Sequence, residues 1–166
     1  MNYLATTMKR FIQLISLGFL SLAAFAADTS TPPVLQIRLV ADVASSDSDA
    51  MIVVGKSKDP SQQETLHVLK KILIDQTDLK SARVTKDNPL GPSQIEITFT
   101  DAGKKRFAEL TRESIGKRLA IVIGGQLYSA PTIRTEVSGG SAVISGNFSE
   151  EEATELVNQI TKSLKK

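Results

Sequence analysis

The sequence has no cysteine in its 166 residues, and aromatic side chains make up only 5% of it. The first absence excludes disulfides and thiolate metal sites, so an exported form must rely on packing alone for its stability. The second leaves too few rings for the stacking platforms that bind single-stranded nucleic acid. There is one histidine, His67. A catalytic triad needs a base beside a nucleophile and a metal site needs several ligands, so a lone histidine in an apolar stretch reads as structural. No titratable groups converge on one short motif. No catalytic, cofactor-binding or metal-ligating residue is assigned, and a non-enzymatic protein without a cofactor is expected.

The amino-terminal end carries the first positive signal. Lys9 and Arg10 precede the apolar run FIQLISLGFLSLAAF, which ends in the small-residue site Ala24-Phe25-Ala26. That order matches a signal peptide, so residues 1–26 are expected to be cleaved after Ala26. The uncharged run from Phe11 to Ala27 stands at the lower limit of the roughly 17–25 residues a membrane helix needs, and a retained anchor is the alternative. The whole chain has 20 basic and 18 acidic residues. Lys9 and Arg10 supply the excess, so the remainder is balanced and offers no net field for nucleic acid. Residues 27–33 read as a polar linker ending in Pro32-Pro33, and 34–166 as one domain.

Val34 to Val40 alternates around Leu35, Ile37 and Leu39, as a strand does. Ala41–Ala50 is rich in Ser and Asp and reads as a mobile loop, followed by a short strand at Met51–Val54. Glu64–Ile74 is ambiguous. Leu66, Leu69 and Leu73 suit a helix, whereas Leu66 and Val68 with Ile72 and Ile74 suit two strands. A short helical step capped by Thr77 is expected in 75–82, then a strand at Arg83–Thr85. Ile95, Ile97 and Phe99 define the next strand, and Thr100 or Asp101 caps a helix ending at Gly116. Phe107, Leu110 and Ser114 share a face of that helix, with Gly103 permitting a close approach. Leu119–Ile123 is apolar on both faces, as a central strand is. Gly124-Gly125 forms a two-residue hairpin, Gln126–Ala130 returns, and Pro131 ends the ladder. A strand at Ala142–Ile144 leads to the capping box Ser149–Glu152 and a helix with the stripe Ala153, Leu156, Val157, Ile160 and Leu164. The expected fold is α+β: a mostly antiparallel or mixed sheet with two amphipathic helices packed on it.

At this point the residues resemble a known family. ITFTDAGKKRFAELTRESIGKRLAIVIGGQLYSAPTI followed by GGSAVISGNFSEEEATELV is similar to the head subdomain of the first periplasmic domain of SecD/SecDF, the auxiliary subunit of the Sec preprotein translocase. LQIRLV and DLKSARV fit the same subdomain more loosely and in the right order. The resemblance implies contact with exported polypeptide or a translocase-like envelope partner. It implies location in the periplasm or outside the cell after cleavage. In the family a membrane bundle carries protons. The sequence supplies none, so a stand-alone exported module without that machinery is expected. The alternative is an envelope structural or regulatory domain that keeps the fold without the translocation role. The family's acidic-Gly hairpin is Gly124-Gly125 here, which removes a charge from its tip.

Three sets of residues stand out as candidate surfaces. Leu127, Tyr128, Ala130, Pro131 and Ile133 form an apolar sheet edge for a guest strand, or else are core. Gly139 and Gly140 with Gly146 and Asn147 form backbone nests, or else are turns. Lys104, Lys105, Arg106, Arg112, Lys117 and Arg118 form a solvated basic face, or else meet lipid headgroups or an acidic partner. Glu150, Glu151 and Glu152 open a helix and fit capping and its dipole.

Overall fold

The computed structural model describes residues 32–54 and 63–165. The signal-peptide expectation, and all of the linker before Pro32, lie outside the described residues. Among the described residues nine strands, a one-turn 3₁₀ helix and two α-helices follow in order. They are β1 (Leu35–Ala41), β2 (Ser48–Ile52), β3 (Thr65–Leu69), β4 (Ile74–Asp75), the 3₁₀ turn Gln76–Asp78, β5 (Leu79–Thr85), β6 (Ser93–Phe99), α1 (Asp101–Glu113), β7 (Leu119–Ile123), β8 (Gln126–Ser129), β9 (Ser141–Phe148) and α2 (Glu150–Ser163). The fold is α+β, as the sequence pattern indicates.

The strands divide between two sheets, one ordered β2-β3-β1-β7-β8 with β4 also on β1, the other β5-β6-β9. Every ladder is antiparallel. The first sheet curls until Val53, just past β2, makes a parallel bridge to Leu127 of β8. That curl explains why β7 is apolar on both faces. Leu119, Ile121 and Ile123 face the larger core, whereas Ala120 and Val122 face a second cluster with Val53, Val68 and Leu127. The larger core joins the two sheets and both helices through Ile37, Ile95, Ile97, Phe107, Leu156 and Ile160.

Tertiary packing settles the ambiguous segment as two strands, β3 and β4. Val68 is fully buried in the smaller cluster and Ile74 in the larger one. The loop expected at Ala41–Ala50 is shorter, because β2 begins at Ser48 and pairs with Leu69. The short helical step is present, but Asp75 caps it rather than Thr77. The Asp75 carboxylate accepts from the Thr77 N–H at 2.7 Å, and Asp78 closes the box by accepting from the Asp75 N–H at 3.2 Å.

α1 starts at its expected cap, Thr100, whose hydroxyl accepts from the Gly103 N–H at 3.0 Å. Gly103 sits against the 3₁₀ turn so closely that a Cβ there would lie 2.2 Å from the Asp78 carbonyl oxygen. Arg106, on the next turn, bonds the buried Asp78 carboxylate at 2.8 Å and the Leu73 carbonyl at 3.0 Å. The β7–β8 hairpin turns on Gly124 and Gly125, at φ 57° and 83°, as a two-residue turn of this hand requires. α2 begins at Ser149, whose hydroxyl accepts from the Glu152 N–H at 3.1 Å.

Candidate functional site

The two sheets part along one line and leave a cleft of about 440 Å³. One wall is the chain that continues from β8, residues 129–135; the other is the first half of β9, residues 141–145. Both walls belong to one long excursion of the chain, joined at one end through residues 136–140. At the other end the rings of Tyr128 and Phe148 meet with centroids 5.7 Å apart. The floor is the larger core itself, with Ile37, Ile97, Phe107, Leu119 and Ile121 at its base.

The backbone of both walls is half used. The Phe99 N–H donates to the Gly140 carbonyl at 3.0 Å, which sets the phase of the β6–β9 ladder. Alternation then turns the amides of Ala142 and Ile144 towards β6 and those of Ser141 and Val143 towards the cleft. β9 is the edge strand of its sheet, and among the described residues no strand covers that edge. On the facing wall the Pro131 carbonyl accepts from the Leu119 N–H at 2.9 Å, and Ile133 exchanges bonds with Lys117 and Gly116 at 2.9 and 2.8 Å. The intervening Thr132 therefore turns its backbone groups the other way. The ladder continues past Pro131 because proline lacks only the donor; its carbonyl still pairs.

The apolar edge expected at residues 127–133 is divided by this geometry. Leu127 is 1% exposed in the smaller cluster, and its carbonyl already accepts from the Val54 N–H at 2.8 Å. Ile133 is buried in the larger core and contributes to the cleft floor. Tyr128 and Ala130 are half-buried, and Pro131 is exposed on the cleft rim. The Tyr128 hydroxyl donates to Gln126 Oε1 at 3.1 Å. Burial, and secondarily the Glu152 carboxylate, raises its pKa above the ordinary 10.0.

The glycines expected to form nests are not brought together. Gly139 and Gly140 precede β9, while Gly146 and Asn147 lie near its far end, roughly 20 Å away at strand rise. Of the three glycines only Gly140 has positive φ, at 85°. Gly146 lies in a bulge, where the β6–β9 register shifts between Ser93 and Ile95. A Cβ on it would meet the Phe148 ring at 2.7 Å, so glycine there lets Phe148 fold back beside Tyr128.

The basic residues divide between structure and surface. Arg106 holds Asp78, and Arg118 pairs with Glu64 at 2.6 Å and donates to the Ala130 carbonyl at 3.0 Å. Lys104, Lys105, Arg112 and Lys117 are exposed. His67 lies in the β2–β3–β1 ladder, between Ala50 and Ala41. Among the described residues no His, Asp and Glu side chains gather as metal ligands, and no helix is long and apolar enough to cross a membrane.

Val143 was missed by the reading of the sequence. It is 51% exposed and lines the cleft. The signal was there: in SAVIS an apolar residue takes the position that alternation assigns to solvent.

The family described as SecDF, P1 head subdomain, matches residues 52–163. The chain belongs to that family. The chain shares 50% identity over 84 residues with the protein translocase subunit SecDF of Thermus thermophilus, covering 51% of this chain and 11% of that protein. Protein translocase subunit SecD of Leptotrichia buccalis is 44% identical over 87 residues, which is 52% of this chain and 21% of the relative. SecD of Calditerrivibrio nitroreducens is 39% identical over 113 residues, 65% of this chain and 22% of the relative. The chain thus spans no more than about a fifth of the length of these relatives. Among solved structures, SecDF in its super-membrane-facing form superposes with a TM-score of 0.61 at 33% identity, covering 77% of this chain and 18% of that one. A second, described as a membrane component that enhances protein export, gives 0.60 at 33% identity, covering 77% of this chain and 61% of that one.

Proposed function

We propose that this head domain is a non-enzymatic binding module of the cell envelope that holds extended polypeptide in the cleft beside β9. One observation carries the reading: an apolar floor runs directly under a strand edge whose amides have no partner strand among the described residues. A guest laid along β9 would bond to Ser141 and Val143 through its backbone, which every sequence offers. Its residues opposite Ala142 and Ile144 would turn their side chains to the floor, because cross-strand neighbours share a face. Such a site tolerates many sequences and favours those with alternating apolar residues. A volume of about 440 Å³ lies within the usual range of ligand clefts and admits a few side chains at a time. Pro131 and Ile133 join the contact, whereas Tyr128 guards one end of it.

The relatives are translocase subunits, and one structural neighbour is described as enhancing protein export. Exported chains, unfolded as they cross, are the guests that fit this chemistry. The test is in-cell photo-crosslinking from Val143 of the full chain. A spread of exported precursors is the expected adduct pattern. One discrete folded partner would favour a regulatory domain without a translocation role, and an absence of polypeptide adducts from a folded, correctly expressed chain would contradict the proposal.

A further inference from the structure

The two ends of the cleft differ in charge. Where β9 begins, the Lys104 side chain lies over Gly140, its Cδ 3.2 Å from the place a Cβ would occupy. Arg134 lines the facing wall at the same end. Neither forms an ion pair among the described residues. Glu136, two residues beyond Arg134, is exposed and does not line the cleft. At the other end, beyond Tyr128 and Phe148, stands the acidic start of α2. Lys86 binds Glu150 there at 2.8 Å. The Glu152 carboxylate forms no ion pair among the described residues, and its helix begins directly after Phe148, whose ring packs on Tyr128.

We propose that the cleft holds its guest in one direction: antiparallel to β9, with cationic residues leading at the Tyr128–Glu152 end and acidic residues trailing at the Lys104–Arg134 end. This rests on the polypeptide reading above. β9 runs from the basic end to the acidic end, so an antiparallel guest starts at the acidic end. Antiparallel pairing is the more stable ladder per residue, and the strand ladders among the described residues are antiparallel. The two end charges then select polarity within that direction. The specificity would be for alternating apolar segments preceded by Lys or Arg and followed by Asp or Glu.

Two synthetic probe peptides test it against the full chain. Each carries the same alternating Val/Thr segment of about five residues, which spans the cleft at roughly 3.4 Å per residue. One has lysines before the segment and glutamates after it; the other has the charges exchanged. The first is expected to bind about fivefold tighter at low salt, the effect of two exposed ion pairs. A photoreactive group at its amino terminus is expected to label residues around Tyr128 rather than those around Arg134. The combined substitutions Lys104→Glu, Arg134→Glu and Glu152→Lys should reverse the preference and leave the better affinity unchanged. Equal affinities with labels at both ends would overturn the directional claim and leave the polypeptide reading standing. A preference that survives the charge swap would overturn it too. Failure of both peptides to bind would remove both readings together.

Discussion

Replacing Gly103 by alanine separates two opposed effects. Alanine in a helix is favoured over glycine by about 1 kcal/mol in the interior, and less near an amino terminus. Local propensity alone therefore predicts a slightly more stable protein. The contact predicts the reverse. The new Cβ would lie 2.2 Å from the Asp78 carbonyl oxygen and 2.8 Å from the Asp78 Cβ. The carbonyl would have to recede by about 1 Å to reach an ordinary contact, which is overpacking of the kind that costs roughly 1–3 kcal/mol. It cannot recede freely. The same carbonyl accepts from the Thr100 N–H at 2.8 Å, and the carboxylate of that residue is held by Arg106 at 2.8 Å. Stretching one or two of these bonds adds about 1 kcal/mol each. The net expectation is a loss of about 1–4 kcal/mol after the propensity gain. At about 3–4 °C per kcal/mol for a domain of this size, the melting temperature falls by roughly 3–16 °C. Urea unfolding followed by circular dichroism measures the loss directly. A Gly103→Ala variant equal to or more stable than the parent would refute the argument that α1 is set by its approach to the 3₁₀ turn.

Gly146→Ala is expected to cost about 1–3 kcal/mol through its clash with the Phe148 ring, whereas Gly139→Ala, with nothing within 4 Å of the new carbon, stays within about 0.5 kcal/mol of the parent; paired urea titrations check both. The absorbance of tyrosinate in a wild-type minus Tyr128→Phe difference titration should show a midpoint above 10.0. A folded pKa raised above the unfolded one contributes stability that is complete below the unfolded value and is lost as pH rises through the folded value. The parent should therefore lose more stability than Tyr128→Phe between pH 10 and the raised midpoint. The hydrogen bond and charge of Lys86 lower the pKa of Glu150 from 4.5, so Lys86→Gln should move that carboxylate's NMR titration midpoint upward, and an unchanged midpoint would mean that the pair does not persist in solution.

The sequence is most legible where one local rule decides the outcome. Ile95, Ile97 and Phe99 alternate cleanly, Thr100 and Ser149 are strong caps, and Gly124-Gly125 admits few turns other than the one formed. Glu64–Ile74 was not legible, because its leucines fit either period, and only burial of Val68 and Ile74 in two separate clusters selects strands. The division into two sheets was hidden for a related reason. Alternation tells which residues of β7 are buried, but not that its two faces meet different cores. The cleft is a consequence of that division. Pro131 and Ile133 were marked by composition and do line it, but Leu127 was marked for the same apolar character and faces the other cluster. No pattern within QLYSAPTI tells the two apart; the curl that brings Val53 to Leu127 does.

Amide hydrogen exchange of the full chain with and without an alternating apolar peptide tests the central claim most directly. The account predicts that the Ser141 and Val143 N–H groups, open in the free protein, become protected when peptide is bound. Ala142 and Ile144, already bonded to β6, should change little. Protection confined to other surfaces, or binding that leaves Ser141 and Val143 exchanging as before, would contradict the assignment of the β9 edge as the polypeptide site.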